Sequence, residues 1–302
     1  FPYTTLFRSY MTKLIKETKL ITEISELAEV LKQLGSPEPG HTRFFRGHPK
    51  KSHILEPGIY REDRKKSPGN PKYLIENEDN IIRDALTNCP DSFHQSDTLF
   101  EKLVKLQHYG YSTRLLDLTS NVLVALYFAT DKDPEEEGEI VVLDIPNDQI
   151  KYDDSDVVSI LSAISLRKSD FSIDQNDSIE EFNKKKDITR LIHDIRGDKP
   201  GFLAEIDPKD LNRVVCVKAK LNNPRIIRQQ GSFLIFGMSS KKCTCSEVPR
   251  KWKKTLNIPI YINGKDKDNI QKELKSFGIS HQNLFPELDS QAKDILAQYC
   301  EK

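Results

Sequence analysis

Apolar residues at Ile21, Ile24, Leu27, Leu31 and Leu34 recur at helical spacing, and Gly35 with Ser36-Pro37 stops the run. The spacing predicts a helix over 21–34. Thr42-Arg-Phe-Phe-Arg-Gly47 is a short aromatic run closed by glycine, the pattern of a strand opening into a loop. Arg61 to Pro71 is charged and rich in Pro, Gly and Asn, and is expected as a surface loop. Helices are expected over Tyr73–Leu86 and Thr98–Tyr109, the second with Leu99, Leu103 and Leu106 on one side. Thr119-Ser-Asn121 offers small polar side chains that can cap a helix. Val122–Thr130 is then apolar on nearly every face, which predicts a buried helix.

An acidic turn over Asp131–Glu139 leads to Glu139-Ile-Val-Val-Leu-Asp144, a strand ended by Pro146. Residues 151–200 alternate short apolar clusters with charged ones and are expected to be an insert of helices and loops. Val214–Val217 and Phe233–Phe236 have strand length and composition. Ile258–Ile262 is a further strand, placed at an edge by Pro259. Lys265–Phe277 reads as a helix with Gly278 after it, and Ser290–Tyr299 as a last helix. Strands and helices follow in irregular order. That predicts one α+β domain with a central mixed or antiparallel sheet, an N-terminal helix and surrounding helices.

The expected organisation is a helical segment over 11–43, the main domain over 44–289 with its insert, and a C-terminal helix over 290–302. Pro2–Ser9 matches the translation of a common sequencing adapter, so Phe1–Tyr10 is expected to be a non-native leader, with Met11 as the start. The 302 residues suffice to bury a sizeable core. Charged residues make up 30% and hydrophobic ones 37%, a globular balance, and the net charge is zero. The zero charge weighs against bulk electrostatic binding of nucleic acid. No apolar run reaches the roughly 20 residues that cross a bilayer. The cysteines (Cys89, Cys216, Cys243, Cys245 and Cys300) form no framework and no zinc-ligand spacing. No metal is expected, and reduced thiols in a cytoplasmic protein are.

Four blocks carry a resemblance. They are Phe44-Phe-Arg-Gly47, the run from Gln107-His-Tyr-Gly110 through Thr113-Arg-Leu-Leu-Asp117 to Ala125-Leu-Tyr-Phe-Ala129, Arg228-Gln-Gln-Gly-Ser-Phe233, and Phe277 to Asp289. Together they resemble the FRG domain, a bacterial-type family. Leu118 stands where that family usually has Trp, and Val122 where it usually has Pro.

The signature residues are expected to line one pocket. Arg46, at a strand-to-loop junction, offers a planar fork for phosphate or carboxylate, or else a structural ion pair. Gln107 and His108 end a helix before Gly110, and His108 could act as a base, bind a ribose hydroxyl or cap its own helix. Tyr109 offers a stacking face for a base. Thr119 and Ser120 can shape a phosphate site at the start of the buried helix. Arg114 and Asp117, three residues apart, are read as a buried structural pair. Gln229 and Gln230 precede a strand, so one amide should face inward. The order of an early Arg, a Ser/Thr element and a late Gln pair resembles ADP-ribosyltransferases of the Arg–Ser–Glu type. That resemblance implies a related fold, NAD as cofactor, and Gln229 or Gln230 in the catalytic position; His108, read above as able to act as a base, is the third candidate catalytic residue. A neutral amide in place of Glu cannot stabilise positive charge as a carboxylate does. A non-catalytic nucleotide or nucleic-acid recognition module, and a structural interaction domain, stand as the other readings.

Overall fold

Strand residues alternate between two apolar environments, and this alternation builds the molecule. A computed structural model describes residues 20–63, 72–256 and 258–300. The strands are β1 (His41–His48), β2 (Glu62–Asp63), β3 (Lys72–Tyr73), β4 (Leu115–Thr119), β5 (Gly138–Pro146), β6 (Ile150–Tyr152), β7 (Val214–Lys218), β8 (Gly231–Phe236) and β9 (Ile260–Ile262). The helices are α1 (Ile24–Leu34), α2 (Glu78–Asn88), α3 (Leu99–His108), α4 (Val122–Thr130), α5 (Asp156–Ala163), α6 (Ile179–Lys184), α7 (Lys186–Asp198), α8 (Pro224–Arg228), α9 (Lys267–Ser276), α10 (His281–Leu284) and α11 (Leu288–Cys300).

Seven strands form one sheet in the order β6-β7-β8-β4-β1-β5-β9. Among the described strands the β6–β7 pair alone is parallel, so the sheet is mixed and the α+β class holds. β2 and β3 make a separate two-stranded ribbon.

On one face of the sheet Phe44, Leu116, Leu118, Val141, Leu143, Leu234 and Phe236 pack together with Trp252. The intervening residues point to the helical face, as the two-residue period of a strand requires. There the core is divided. Leu115, Phe233 and Ile235 pack with α2, α3, α5 and α7 in one cluster. Phe45, Ile140, Val142 and Ile260 pack with α1, α4 and α9 in another. Asp117 and Thr119 of β4 share the face of Leu115 and so fall where the two clusters meet.

Several local expectations shift. Helix α1 starts at Ile24, because Ile21 bridges to Ile262 and extends the sheet edge. The expected 73–86 helix starts at Glu78, after a 3₁₀ turn over Leu74–Asn77. Helix α3 is capped at its start by Thr98 and Glu101, which form a reciprocal capping box. Thr119 closes a strand rather than opening a helix, and Asn121 alone caps α4 by accepting from the Leu123 N–H. Gln229 ends the short helix α8, and Gln230 adopts φ +46°, so the glutamines do not lie on opposite faces of a strand. The expected leader and Met11 lie outside the described residues, as does 64–71 of the expected surface loop. No helix among the described residues is long and apolar enough to cross a membrane.

Candidate functional site

The sheet is loosest where its polar residues are. β1 pairs with β5 along its whole length, and β4 pairs with β8 along its whole length. Between β1 and β4 the register holds only Phe45 opposite Thr119. Beyond that pair the carbonyl of Asp117 has no strand partner on the β1 side. Arg46 supplies the missing donor, with Nη1 donating to Asp117 O at 2.7 Å. Its Nε donates to Nε2 of the buried His48 at 3.1 Å. Among the described residues Arg46 forms no ion pair. Burial pushes its guanidinium down to about 10, opposed by the Asp117 carboxylate, and it keeps its charge at neutral pH.

A cleft opens over this gap and has two lobes. The larger, of about 280 Å³, is lined by Phe45, Arg46, Asp117, Thr119, Phe128 and Phe285, with Asp131, Lys132, Arg225 and Gln229 completing its polar wall. The smaller, of about 60 Å³, lies against Gln107, His108, Asn223, Ser232 and Phe233. Asp117, Leu118, Arg225 and Gln229 line both and form the seam. Arg225 lies over the Phe285 ring at 4.6 Å, a cation–π contact that fixes both side chains.

Arg46, Gln107, His108, Thr119 and Gln229 therefore come together. Thr119 is buried and donates to Gln229 O at 2.7 Å, which ties β4 to α8. Gln107 accepts from Thr113 Oγ1 and so braces the turn after α3. His108 Nε2 sits 3.1 Å from Glu287 Oε1, and its Nδ1 is 3.4 Å from Asn223 Nδ2. Burial holds His108 below its usual pKa, against the pull of Glu287 and with a further push from Arg225. Gln229 Nε2 donates to Leu284 O at 3.1 Å. Tyr109, Ser120 and Gln230 do not line the cleft: Tyr109 is exposed, and Ser120 bonds to Gln230 through both backbone and side chain.

Arg114 and Asp117 are not a pair. Arg114 immediately precedes β4, and three residues along an extended chain reverse the side-chain direction. Arg114 is fully buried on Glu78, with Nε 2.9 Å from Oε1 and Nη2 on Oε2, while Nη1 donates to Phe236 O at 3.1 Å. Lys242 Nζ adds a second cation 3.3 Å from Glu78 Oε2. Burial disfavours the Arg114 charge, but the Glu78 carboxylate outweighs it and holds the group above its usual value. Asp117 is exposed on the cleft side.

A family model described as the FRG domain matches residues 41–138. The chain contains an FRG domain. No curated protein and no solved structure matches. The matched stretch runs from the first residue of β1 to the first residue of β5. It contributes Arg46, Gln107, His108, Asp117, Thr119 and Lys132 to the cleft. The Phe44-Phe-Arg-Gly47 block of the FRG domain now has a physical account. Phe44 and Phe45 anchor β1 to opposite faces, and Arg46 fills the gap to β4. At Gly47 an added Cβ would stand 1.9 Å from Ala125 O, so only glycine lets α4 lie against the strand.

The remaining cleft residues lie beyond the FRG match or have no period of their own. Arg225 and Phe285 come from two short helical segments near the end of the chain, and Lys132 from the turn after α4. The backbone of that turn is fixed by buried Lys267, whose Nζ donates to Pro49 O at 2.7 Å and to Lys132 O and Asp133 O at 2.9 Å. One sequence signal for Phe285 existed: it falls inside the fourth FRG-like block.

Proposed function

We propose that the cleft binds a nucleotide-like ligand, its phosphate against the cations and its ring against the phenylalanines. The observation that carries this reading is that Arg46, Lys132 and Arg225 line one cavity and none is ion-paired among the described residues. Unpaired cations in a concave site are poised for an external anion. Asp117 and Asp131 offset part of that charge, and Asp131 is engaged by the Tyr127 hydroxyl at 2.8 Å. Phe45 and Phe128 supply apolar surface, the complement of a base or a ribose face, while the Phe285 ring is covered by Arg225 and stacked on His281. The order of Arg46, Thr119-Ser120 and Gln229-Gln230 resembles Arg–Ser–Glu ADP-ribosyltransferases, which favours NAD among nucleotides.

Titration calorimetry with ADP, NAD and adenosine tests the reading. ADP and NAD should bind, and uncharged adenosine should bind much more weakly. Arg225→Gln should weaken ADP binding about tenfold, or ~1.4 kcal/mol, through loss of one charge-assisted contact. Lys132→Ala should act in the same direction with little change in melting temperature, since its side chain is exposed. Absence of ADP and NAD binding to the wild-type chain would sink the proposal.

A further inference from the structure

We infer that Lys267 is a positioning residue of the larger lobe: its buried ammonium ties the Pro49 side of the lobe to the Lys132 side, and so fixes where Lys132 stands for an anion. The inference rests on the nucleotide reading above and adds to it how the site is held in shape.

Lys267 is out of place by two local rules. It is the first residue of α9, where the positive end of the helix dipole disfavours a cation. It is also fully buried, which disfavours the charge again. Burial pushes the ammonium below its usual pKa, and the Asp133 and Glu136 carboxylates oppose that shift. What accommodates it is a cage of carbonyl oxygens. Nζ donates to Pro49 O at 2.7 Å, and to Lys132 O and Asp133 O at 2.9 Å. An ammonium has three N–H donors and no acceptor, so these three carbonyls match it in full. A neutral amine has two, and would leave one carbonyl without this donor.

The acceptors come from two separate stretches of chain. Pro49 follows β1 and lines the larger lobe with Phe45, Arg46 and Gly47. Lys132 follows α4 and lines the lobe with Phe128 and Asp131. Asp133, next to Lys132, stands at φ +54°, an uncommon conformation for a residue other than glycine. Such a conformation persists where its surroundings hold it, and Lys267 is one of those holds.

Helix α9 carries a second grip on the same wall. Gln271 lies four residues after Lys267, on the same helix face. Its Nε2 donates to Tyr127 O at 3.1 Å and to Thr130 Oγ1 at 2.7 Å, at the end of α4. Ile270 and Leu274 anchor α9 in the core that also holds Phe45 and Val124. Removing the Nζ contacts therefore separates the Lys132 turn from the Pro49 corner while the anchor of α9 stays in place.

The test is a double-mutant cycle read by ADP titration calorimetry on the full chain. Lys267→Met keeps the apolar stem and removes the three donors. It should weaken ADP binding about tenfold or more, the scale on which a preorganised site loses affinity when a contact is displaced. Lys132→Ala should weaken binding in the wild type but by less than about twofold in the Lys267→Met background, since the two act as a unit. A purely structural Lys267 would leave the Lys132→Ala effect equal in both backgrounds. That result, or unchanged ADP affinity in Lys267→Met, overturns the inference and leaves the nucleotide reading intact. Lys267→Ala gives an independent readout, because n-propylammonium supplies the atoms that this substitution removes. That cation should raise the variant's melting temperature and recover its ADP affinity. Tetramethylammonium, with the same charge and no N–H donor, should do neither. Recovery of the melting temperature without ADP affinity, or equal recovery by both cations, also overturns the inference. Failure of the wild type to bind ADP overturns it together with the nucleotide reading.

Discussion

Arg46 reaches the cleft by way of His48, and that link is sensitive to pH. The Arg46 Nε donates to His48 Nε2, so the imidazole keeps a lone pair there and carries its proton on Nδ1, 3.4 Å from Glu139 Oε2. Burial holds His48 below its ordinary 6.5, against the hydrogen bond it donates to Glu139 and with help from the Arg46 charge. The unfolded chain therefore takes up the proton first as pH falls. The stability tied to neutral His48 is complete above 6.5 and is lost as pH drops from there towards the folded value. His53 and His108 are shifted in the same direction and add to the slope. Urea-unfolding midpoints should be level above about pH 7 and fall in mild acid. His48→Gln retains an acceptor for Arg46 and should flatten that fall; an unchanged slope would remove His48 from the account. Individual residues were unevenly legible in sequence. Arg46 was marked by its position at the end of an aromatic run. The three-residue spacing of Arg114 and Asp117 suggests a pair, but adjacency along an extended strand is not adjacency in space. The partner of Arg114 is Glu78, which lies 36 residues away in α2.

Elements were easier to read than contacts, because periodicity reports which face is buried and says little about against what. Helix α4 was legible as a buried helix from its all-round apolar character, and its neighbour was not. Contact with β1 is set by Gly47, where a Cβ would meet Ala125 O at 1.9 Å and Ala129 N at 2.7 Å. These are backbone atoms of a helix packed on both sides, so they cannot move aside cheaply. Gly47→Ala should lower unfolding free energy by about 3 kcal/mol or more, at the upper end for overpacking. Gly197, inside α7, has no heavy atom within 4 Å of an added Cβ. Gly197→Ala should be neutral or stabilise by less than about 1 kcal/mol. Equal effects in denaturant titrations would show that the α4–β1 distance is not fixed by Gly47. The glutamine pair shows the opposite failure. A polar-Gly-apolar run looked like a strand entrance, but Pro224 starts a short helix that consumes Gln229 as its end.

At the scale of the molecule, the FRG match and the folding unit do not coincide. The match ends at residue 138, whereas the strand pairing of β4 within it is made almost entirely with β8, over a hundred residues later in the chain. Its cleft is finished by Arg225, Gln229 and Phe285, also outside the match. Leu103, Leu106 and Leu115 pack in a cluster whose other members include Leu161, Leu191, Val215, Phe233 and Ile235. Sequence blocks announced both halves of the site, since Arg228–Phe233 and Phe277–Asp289 resemble the family too. Their meeting at Asp117 is a long-range pairing that no local pattern encodes. A fragment of residues 20–146 would keep β1, β5 and α4 but leave β4 unpaired along the side that β8 covers, with the α3 face uncovered. Exposing that apolar area forfeits roughly 25 cal/mol for each Å² that the full chain buries, against a net stability of only about 5–15 kcal/mol for a typical domain. The fragment should show no cooperative thermal transition by circular dichroism and no ADP binding, while the full chain shows both. A fragment that melts cooperatively and binds ADP would place the folding unit and the ligand site within the first half, and Arg225 and Phe285 would then be accessory to both.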